Sequence, residues 1–238
     1  MQDGRGMVRR AAVPLLIFML AAAVWGQQTL VTRFDQFDGY TYLNSPKVSL
    51  AESGFHTQFG VRVRKWVSLG FDYSVSKGNL TLTPDLLVPA TQQLLTAQLT
   101  QLALAGVIPP TYKLVVPASS VTQTFAAGPQ VAFRHWNKIT VFVRPSCGLI
   151  HENATPHASD PIAAGVVAEL APSGHKTDTT AFWGAGGGVD FILGNRISIR
   201  LQGDFVHDHL FSDLLQASRN TVRISIGPCF NFGGNILK

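Results

Sequence analysis

From residue 221 to residue 232 the chain reads TVRISIGPCFNF, and every second residue is apolar: Val222, Ile224, Ile226, Pro228, Phe230 and Phe232. Arg223, Ser225, Gly227, Cys229 and Asn231 stand between them. A period of two belongs to an extended strand whose side chains point alternately to an apolar and a polar face. One such strand fits many sheets. Its recurrence along the chain narrows the choice.

Alternating segments fall at 31–43, 55–64, 67–76, 121–134, 139–150, 179–193, 196–206 and 221–232. In 67–76, Val67, Leu69, Phe71, Tyr73 and Val75 alternate with Ser68, Gly70, Asp72 and Ser74. In 196–206, Ile197, Ile199, Leu201 and Phe205 stand opposite Ser198, Arg200, Gln202 and Asp204. The phase of 31–43 is ambiguous, because Phe34, Tyr40 and Tyr42 compete with Phe37 and Leu43. Charged residues make up only 14% of the chain and its mean hydropathy is +0.18, yet no apolar run beyond residue 27 approaches the roughly 20 residues of a spanning helix. Apolar residues spread over alternate positions are the signature of a transmembrane β-barrel.

Residues 1–26 read as a secretory signal peptide: Arg9 and Arg10 precede an apolar run over 11–25, and cleavage is expected before Gln27. Losing three arginines and one aspartate with that segment takes the net charge from +5 to +3. With no run of Lys or Arg, nucleic acid is excluded as an expected partner. Residues 27–238 then form a single barrel domain.

The interruption between the third and fourth strands has a different period. Leu94, Leu95, Leu99 and Leu102 form a stripe over 89–105, which predicts an amphipathic helix stopped by Pro109-Pro110, within a helical insertion of about residues 84–110. Links after the second, fourth and sixth strands are tight, and those after the first, third, fifth and seventh are expected to be long. The fold class expected is therefore all-β: an eight-stranded antiparallel up-and-down transmembrane β-barrel with one helical insertion between strands 3 and 4. Short turns face the periplasm and long loops the exterior in such barrels.

Residues opposite each other in a hairpin share a face, so odd-length loops are expected at Lys65, at Asn137 and at Gly194-Asn195, with Asp190 facing Arg200. The polar face must line the lumen, since an arginine near the bilayer midplane would cost about 2–4 kcal/mol. Arg62, Asp72, Arg144, Asp190, Arg200, Asp204 and Arg223 are thus the predicted lumen charges, and they fill an eight-stranded barrel rather than line an open channel. Pro129, Pro145 and Pro228 interrupt strands on the lipid face, where bulges are expected to accommodate them. Cys147 falls on the apolar face and Cys229 on the polar one, so both should be free thiols.

The chain resembles the small outer-membrane β-barrel proteins of the OmpA/OmpX type, the "porin family" barrel domains of Gram-negative bacteria. The resemblance runs over about residues 31–233. It rests on Asp38-Gly39-Tyr40-Thr41-Tyr42-Leu43, on Trp66 to Tyr73, on Gly186-Gly187-Gly188-Val189-Asp190, and on the ending Gly227-Pro228-Cys229-Phe230-Asn231-Phe232-Gly233. It implies a place in the cell outer membrane and contact with its lipid. It also implies insertion by the outer-membrane assembly machinery, which reads an aromatic-ended last strand; Phe230 and Phe232 would be that signal. A monomer is expected.

Chemistry is sparse. His207-Asp208-His209 is the densest metal-ligating piece, though no second cluster fixes a geometry, and neither metal nor cofactor is expected. Ser212 near His207 and Asp208 is the one arrangement a barrel hydrolase or protease acting on lipid or peptide could use. The expectation is a non-enzymatic barrel with a structural, adhesive or binding role in its external loops, toward a ligand the residues do not specify. The alternatives are that barrel enzyme, or a soluble lipid-carrying barrel with the apolar face turned inward.

Overall fold

A computed structural model of the chain describes residues 28, 30–216 and 218–236. The expected signal peptide lies outside the described residues. Eight antiparallel strands close a barrel in chain order: β1 (Thr32–Ser45), β2 (Leu50–Arg64), β3 (Val67–Leu82), β4 (Val116–Phe133), β5 (Ile139–Pro156), β6 (Lys176–Ile192), β7 (Ile197–Asp208) and β8 (Arg219–Asn235). Helix α1 (Pro89–Leu104) lies between β3 and β4, where the leucine stripe predicts it. A second helix, α2 (Pro161–Leu170), lies between β5 and β6 and was not foreseen. Closure brings β8 against β1, with Phe232 opposite Phe34 and Ile226 opposite Tyr40. All backbone pairing is thereby internal, as a hydrocarbon environment requires.

The strands outrun their predicted bounds at the external rim. β4 and β5 have 18 residues each, where a tilted spanning strand needs about 9–11. Pairing continues to Leu82–Val116, Ala118–Pro156 and Ala154–Lys176, so β3 to β6 rise as a wall above the bilayer. The first link corrects the expectation of a long loop. Ser45 pairs with Leu50, and only the 3-10 turn Pro46–Val48 and Ser49, in the left-handed region at φ 49°, connect them. The turn-rich composition of 44–54 hid the start of β2.

Register follows parity. Asp190 faces Arg200 and Val131 faces Val143, giving odd loops centred on Asn195 and Asn137. At Lys65 a two-residue turn is reconciled with the same parity by a bulge between Arg62 and Arg64. No bulge marks the prolines, contrary to expectation. Phe125 pairs with Leu149 and Val131 with Val143 in one register, which sets Pro129 against Pro145 without a shift. Pro228 likewise sits opposite Ile199 in an unshifted ladder. A Cβ on Gly128 would stand 2.0 Å from the Pro145 carbonyl oxygen, and one on Gly227 would stand 2.3 Å from that of Asp38. The approach is as close at Gly54 and Gly78, away from any proline, so it belongs to the packing of neighbouring strands and not to the prolines.

The apolar face points outward. Phe71, Phe125, Val143, Leu149, Leu201, Phe205, Val222, Ile224 and Ile226 are all exposed on the wall. So continuous an apolar belt exceeds what a protein in water leaves uncovered. Arginines and carboxylates fill the interior, which removes the soluble lipid-carrier alternative.

Candidate functional site

The structure places all seven predicted lumen charges inside the barrel, in tiers. In the lowest, Arg62 meets Asp35 at 3.2 Å and donates to Asn231 Oδ1 at 2.7 Å. Arg200 donates to Asp190 at 2.7 and 3.0 Å, to Asp35 at 3.0 Å and to Gln58 at 3.3 Å. Its guanidinium also lies over the rings of Phe142 and Phe37, 4.7 and 5.7 Å from their centroids. This settles the phase of β1: Phe37 and Leu43 face the lumen, while Tyr40 and Tyr42 face out. In the middle tier Asp72 takes Arg144, and Arg223 at 3.3 Å, with His56 Nε2 at 3.5 Å. Arg223 bridges on to Asp204 at 2.9 Å.

A third tier escaped the sequence reading. Arg219 donates through Nη1 to Glu152 at 2.6 Å and through Nε to Asp208 at 3.4 Å, and Glu52 accepts from Ser120. Glu52, Glu152, Asp208 and Arg219 are all buried. Each lies at an outer strand end that was read as loop, although each keeps the inward parity of its strand. Asp35 and His56 were also left out of the predicted set. Pairs as buried as these add little net stability, because desolvation offsets attraction. What they do is fill the lumen with paired side chains; Arg144, Arg200, Phe37 and Phe142 are the largest with no exposed surface to speak of.

Around and above the third tier the interior turns apolar. Val48, Leu50, Leu80, Ile150, Phe182, Leu210 and Phe211 form one buried cluster inside the wall. Leu87, Leu95, Leu114, Val116 and Ala163 form a second beneath the helices. The cap is tied down by a short bridge: Val88 N–H donates to the Leu214 carbonyl at 2.9 Å, and Gln216 N–H to that of Leu86 at 2.9 Å. Asp160 caps α2, accepting from the N–H groups of Ala163 at 2.8 Å and Ile162 at 2.9 Å, and from the Tyr112 hydroxyl at 2.9 Å. The Ala163 N–H bond, with the Tyr112 and Ile162 bonds behind it, holds the Asp160 carboxyl below its ordinary pKa. Between cap and lumen lies an apolar cavity of about 70 Å³, lined by Leu87, Leu95, Leu114, Val166, Val167 and Leu214 among others. Thr83, Glu152, Lys176 and Arg219 are the polar residues of its wall, with Glu152 and Arg219 at the inner end.

The remaining candidates are not assembled. His207 and His209 share the outer face, their rings 5.2 Å apart, and His207 also packs on Trp183 at 5.1 Å and meets Asn220 at 2.6 Å. Asp208 faces the opposite way, into the lumen, held by Arg219 and by Leu210 N–H. Among the described residues no group of three or more His, Cys, Asp or Glu stands ready for a metal. Ser212 is exposed and no hydrogen bond joins it to His207 or Asp208. Cys147 is exposed on the outer wall and Cys229 is buried in the lumen, both as free thiols. Phe230 and Phe232 lie on the outer wall at the lower end, where Phe232 packs with Phe34 and Phe59 at 5.7 and 6.3 Å.

A closed eight-stranded antiparallel barrel with an apolar outer belt and a charge-filled lumen is the fold of the small outer-membrane barrels of the OmpA/OmpX type. Among solved structures the chain is similar to Neisserial surface protein A, at a TM-score of 0.52 and 10% identity, over 84% of this chain and 96% of that one. It also matches Ail, the attachment invasion locus protein of Yersinia pestis, at 0.47 and 7% over 85% and 100%. A third match is the N-terminal β-barrel domain of Pseudomonas aeruginosa OprF, at 0.42 and 11% over 84% and 98%. No sequence-family profile and no curated protein sequence matches the chain.

Proposed function

We propose that the protein is a non-enzymatic, monomeric barrel of the outer membrane that works by binding at its external mouth rather than by conducting solutes. The observation that supports this best is vertical order. An apolar cavity under a helical cap sits on a lumen packed with paired arginines and carboxylates. A solute crossing the barrel would have to displace Arg200 from two carboxylates and two aromatic rings, then part the Asp72 and Arg219 tiers. A ligand entering from outside needs to shift only the cap. The Phe34, Phe59 and Phe232 cluster sits at the lower rim, the place for an interfacial aromatic anchor, and Phe230 and Phe232 would serve the assembly machinery there.

Purified protein in planar bilayers is the test. No stepwise conductance should appear, and deletion of residues 84–110 should abolish binding of small apolar probes while leaving the heat-modifiable gel shift of the barrel. Stable single-channel openings would overturn the reading. Hydrolysis of lipid A or peptide that is lost in Ser212→Ala would overturn its non-enzymatic part.

A further inference from the structure

The cavity is apolar apart from Thr83, Lys176 and its inner end, and the chemistry of that end is unbalanced in a particular way. Arg219 spends Nη1 on Glu152 and Nε on Asp208, and its Nη2 has no hydrogen-bond partner. Glu152 accepts from Arg219 with Oε2, and its Oε1 has no partner either. The two side chains are 2% and 0% exposed, so neither atom is repaid by bulk water. One unpaired donor and one unpaired acceptor thus belong to a single salt bridge in the cavity wall.

We infer that the mouth cavity binds a small neutral amphiphile, an aliphatic chain bearing one hydroxyl. The hydroxyl accepts from Arg219 Nη2 and donates to Glu152 Oε1, and the chain lies among Leu87, Leu95, Val166 and Val167. This rests on the reading of the mouth as a binding site and specifies what it takes. A hydroxyl is both donor and acceptor and satisfies both atoms at once. An ether could accept from Arg219 but would leave Glu152 Oε1 unpaired. A carboxylate could accept from Arg219 Nη2 but would set a second negative charge against Glu152 and leave Oε1 without a donor, and Lys176, the other cation of the lining, is already paired with Asp213 at 2.6 Å. An ammonium would sit against the Arg219 guanidinium and leave Nη2 unpaired. Size restricts the chain as well. The cavity of about 70 Å³ is about half the roughly 150 Å³ that admits benzene, so the chain with its hydroxyl must be smaller than benzene.

The isomers 1-propanol and methoxyethane, both smaller than benzene, have the same atoms and nearly the same volume and differ in the donor. Each is titrated into full-length protein in phospholipid nanodiscs, with the methyl resonances of Leu87, Leu95, Val166 and Val167 as readout. Ala154→Phe, which fills the cavity from the β5 wall, corrects for ligand dissolved in lipid. We expect 1-propanol to bind at least about tenfold more tightly than the ether, since a site built for a hydroxyl rejects an analogue without it. Glu152→Gln should shrink that ratio; where this variant fails to fold, the isomer comparison on the unaltered chain still decides. Equal affinities would sink hydroxyl recognition and leave the binding site standing. Tighter binding of propanoate or propylamine would overturn the inference in favour of charge recognition. If neither isomer shifts the cavity methyls beyond the Ala154→Phe control, the site itself is refuted.

Discussion

Arg200 is the side chain whose loss the lumen should tolerate least. Arg200→Met keeps much of the length and apolar volume and removes the charge. Asp35 would retain Arg62 at 3.2 Å, but Asp190 would lose both of its bonds, at 2.7 and 3.0 Å, while only 4% exposed. Leaving one buried charge uncompensated costs about 3–5 kcal/mol. The lost stacking on Phe142 and Phe37 adds about 0.5–2 kcal/mol, which methionine contacts with the same rings offset in part. The expected destabilisation is therefore about 3–5 kcal/mol. Since most of it is the stranded carboxylate, Asp190→Asn placed in the Arg200→Met background should restore about half. The assay is the urea midpoint of the heat-modifiable folded band in phospholipid vesicles, with refolding shown to be reversible. Arg200→Met within about 1 kcal/mol of the unaltered chain would refute the reasoning. So would a double variant no more stable than the single one, because the cost would then lie in packing and not in the stranded charge.

Three further outcomes follow from the geometry. The Asp160 carboxyl titrates below its ordinary range because it is bonded in the folded state to Ala163 N–H first, then to the Tyr112 hydroxyl and Ile162 N–H. Its hold on α2 is complete above the unfolded carboxylate pKa and lost as pH falls through the lowered folded value. Amide protection at Ile162 and Ala163 should therefore fall in strong acid and in Asp160→Ala at neutral pH, with β4 and β5 amides unchanged; equal loss in the strands would contradict a local cap. Gly227→Ala puts a Cβ 2.3 Å from the Asp38 carbonyl oxygen and 2.5 Å from Gly39 Cα across the closing seam. It should destabilise the barrel by about 1–3 kcal/mol, whereas Gly203→Ala, with nothing within 4 Å, should be nearly silent in the same urea titration. Under non-reducing conditions the mass should show two free thiols, with Cys147 alkylated by a membrane-permeant reagent in the folded state and Cys229 only after unfolding; a mass two units lower would mean a disulfide.

How far the sequence could be read depended on what surrounds each stretch of strand. Inside the bilayer one face meets lipid and the other meets charge, and β3, β7 and β8 show it as plain alternation, hence the strand count, the antiparallel order and the seven lumen charges. β1 was harder because the lumen is not uniformly polar: Phe37 faces inward to lie against Arg200. The larger failure lies above the membrane, where the pattern does not stop but inverts. Leu50, Leu80, Val116, Ala118 and Ala154 point inward and are buried, while Ala51, Asn79, Pro117 and Thr155 on the outer face are exposed. Along β2 the outer face changes from Phe55 to Ser53 and Ala51 while the inner face changes from His56 to Glu52 and Leu50. A reading that looks for apolar residues on the lipid face sees only turn-rich sequence there. α2 was hidden for a related reason: an Ala, Val and Gly segment carries no polar face to give it a period, and its start was marked only by Asp160 ahead of Pro161. The inversion is also the physical argument for where function lies. A barrel that needed only to sit in the membrane would gain nothing from turning its interior apolar beyond the lipid. An interior made apolar by β2 to β5, roofed by α1 and α2 and floored by the Glu152–Arg219 pair, is a compartment built outside the bilayer.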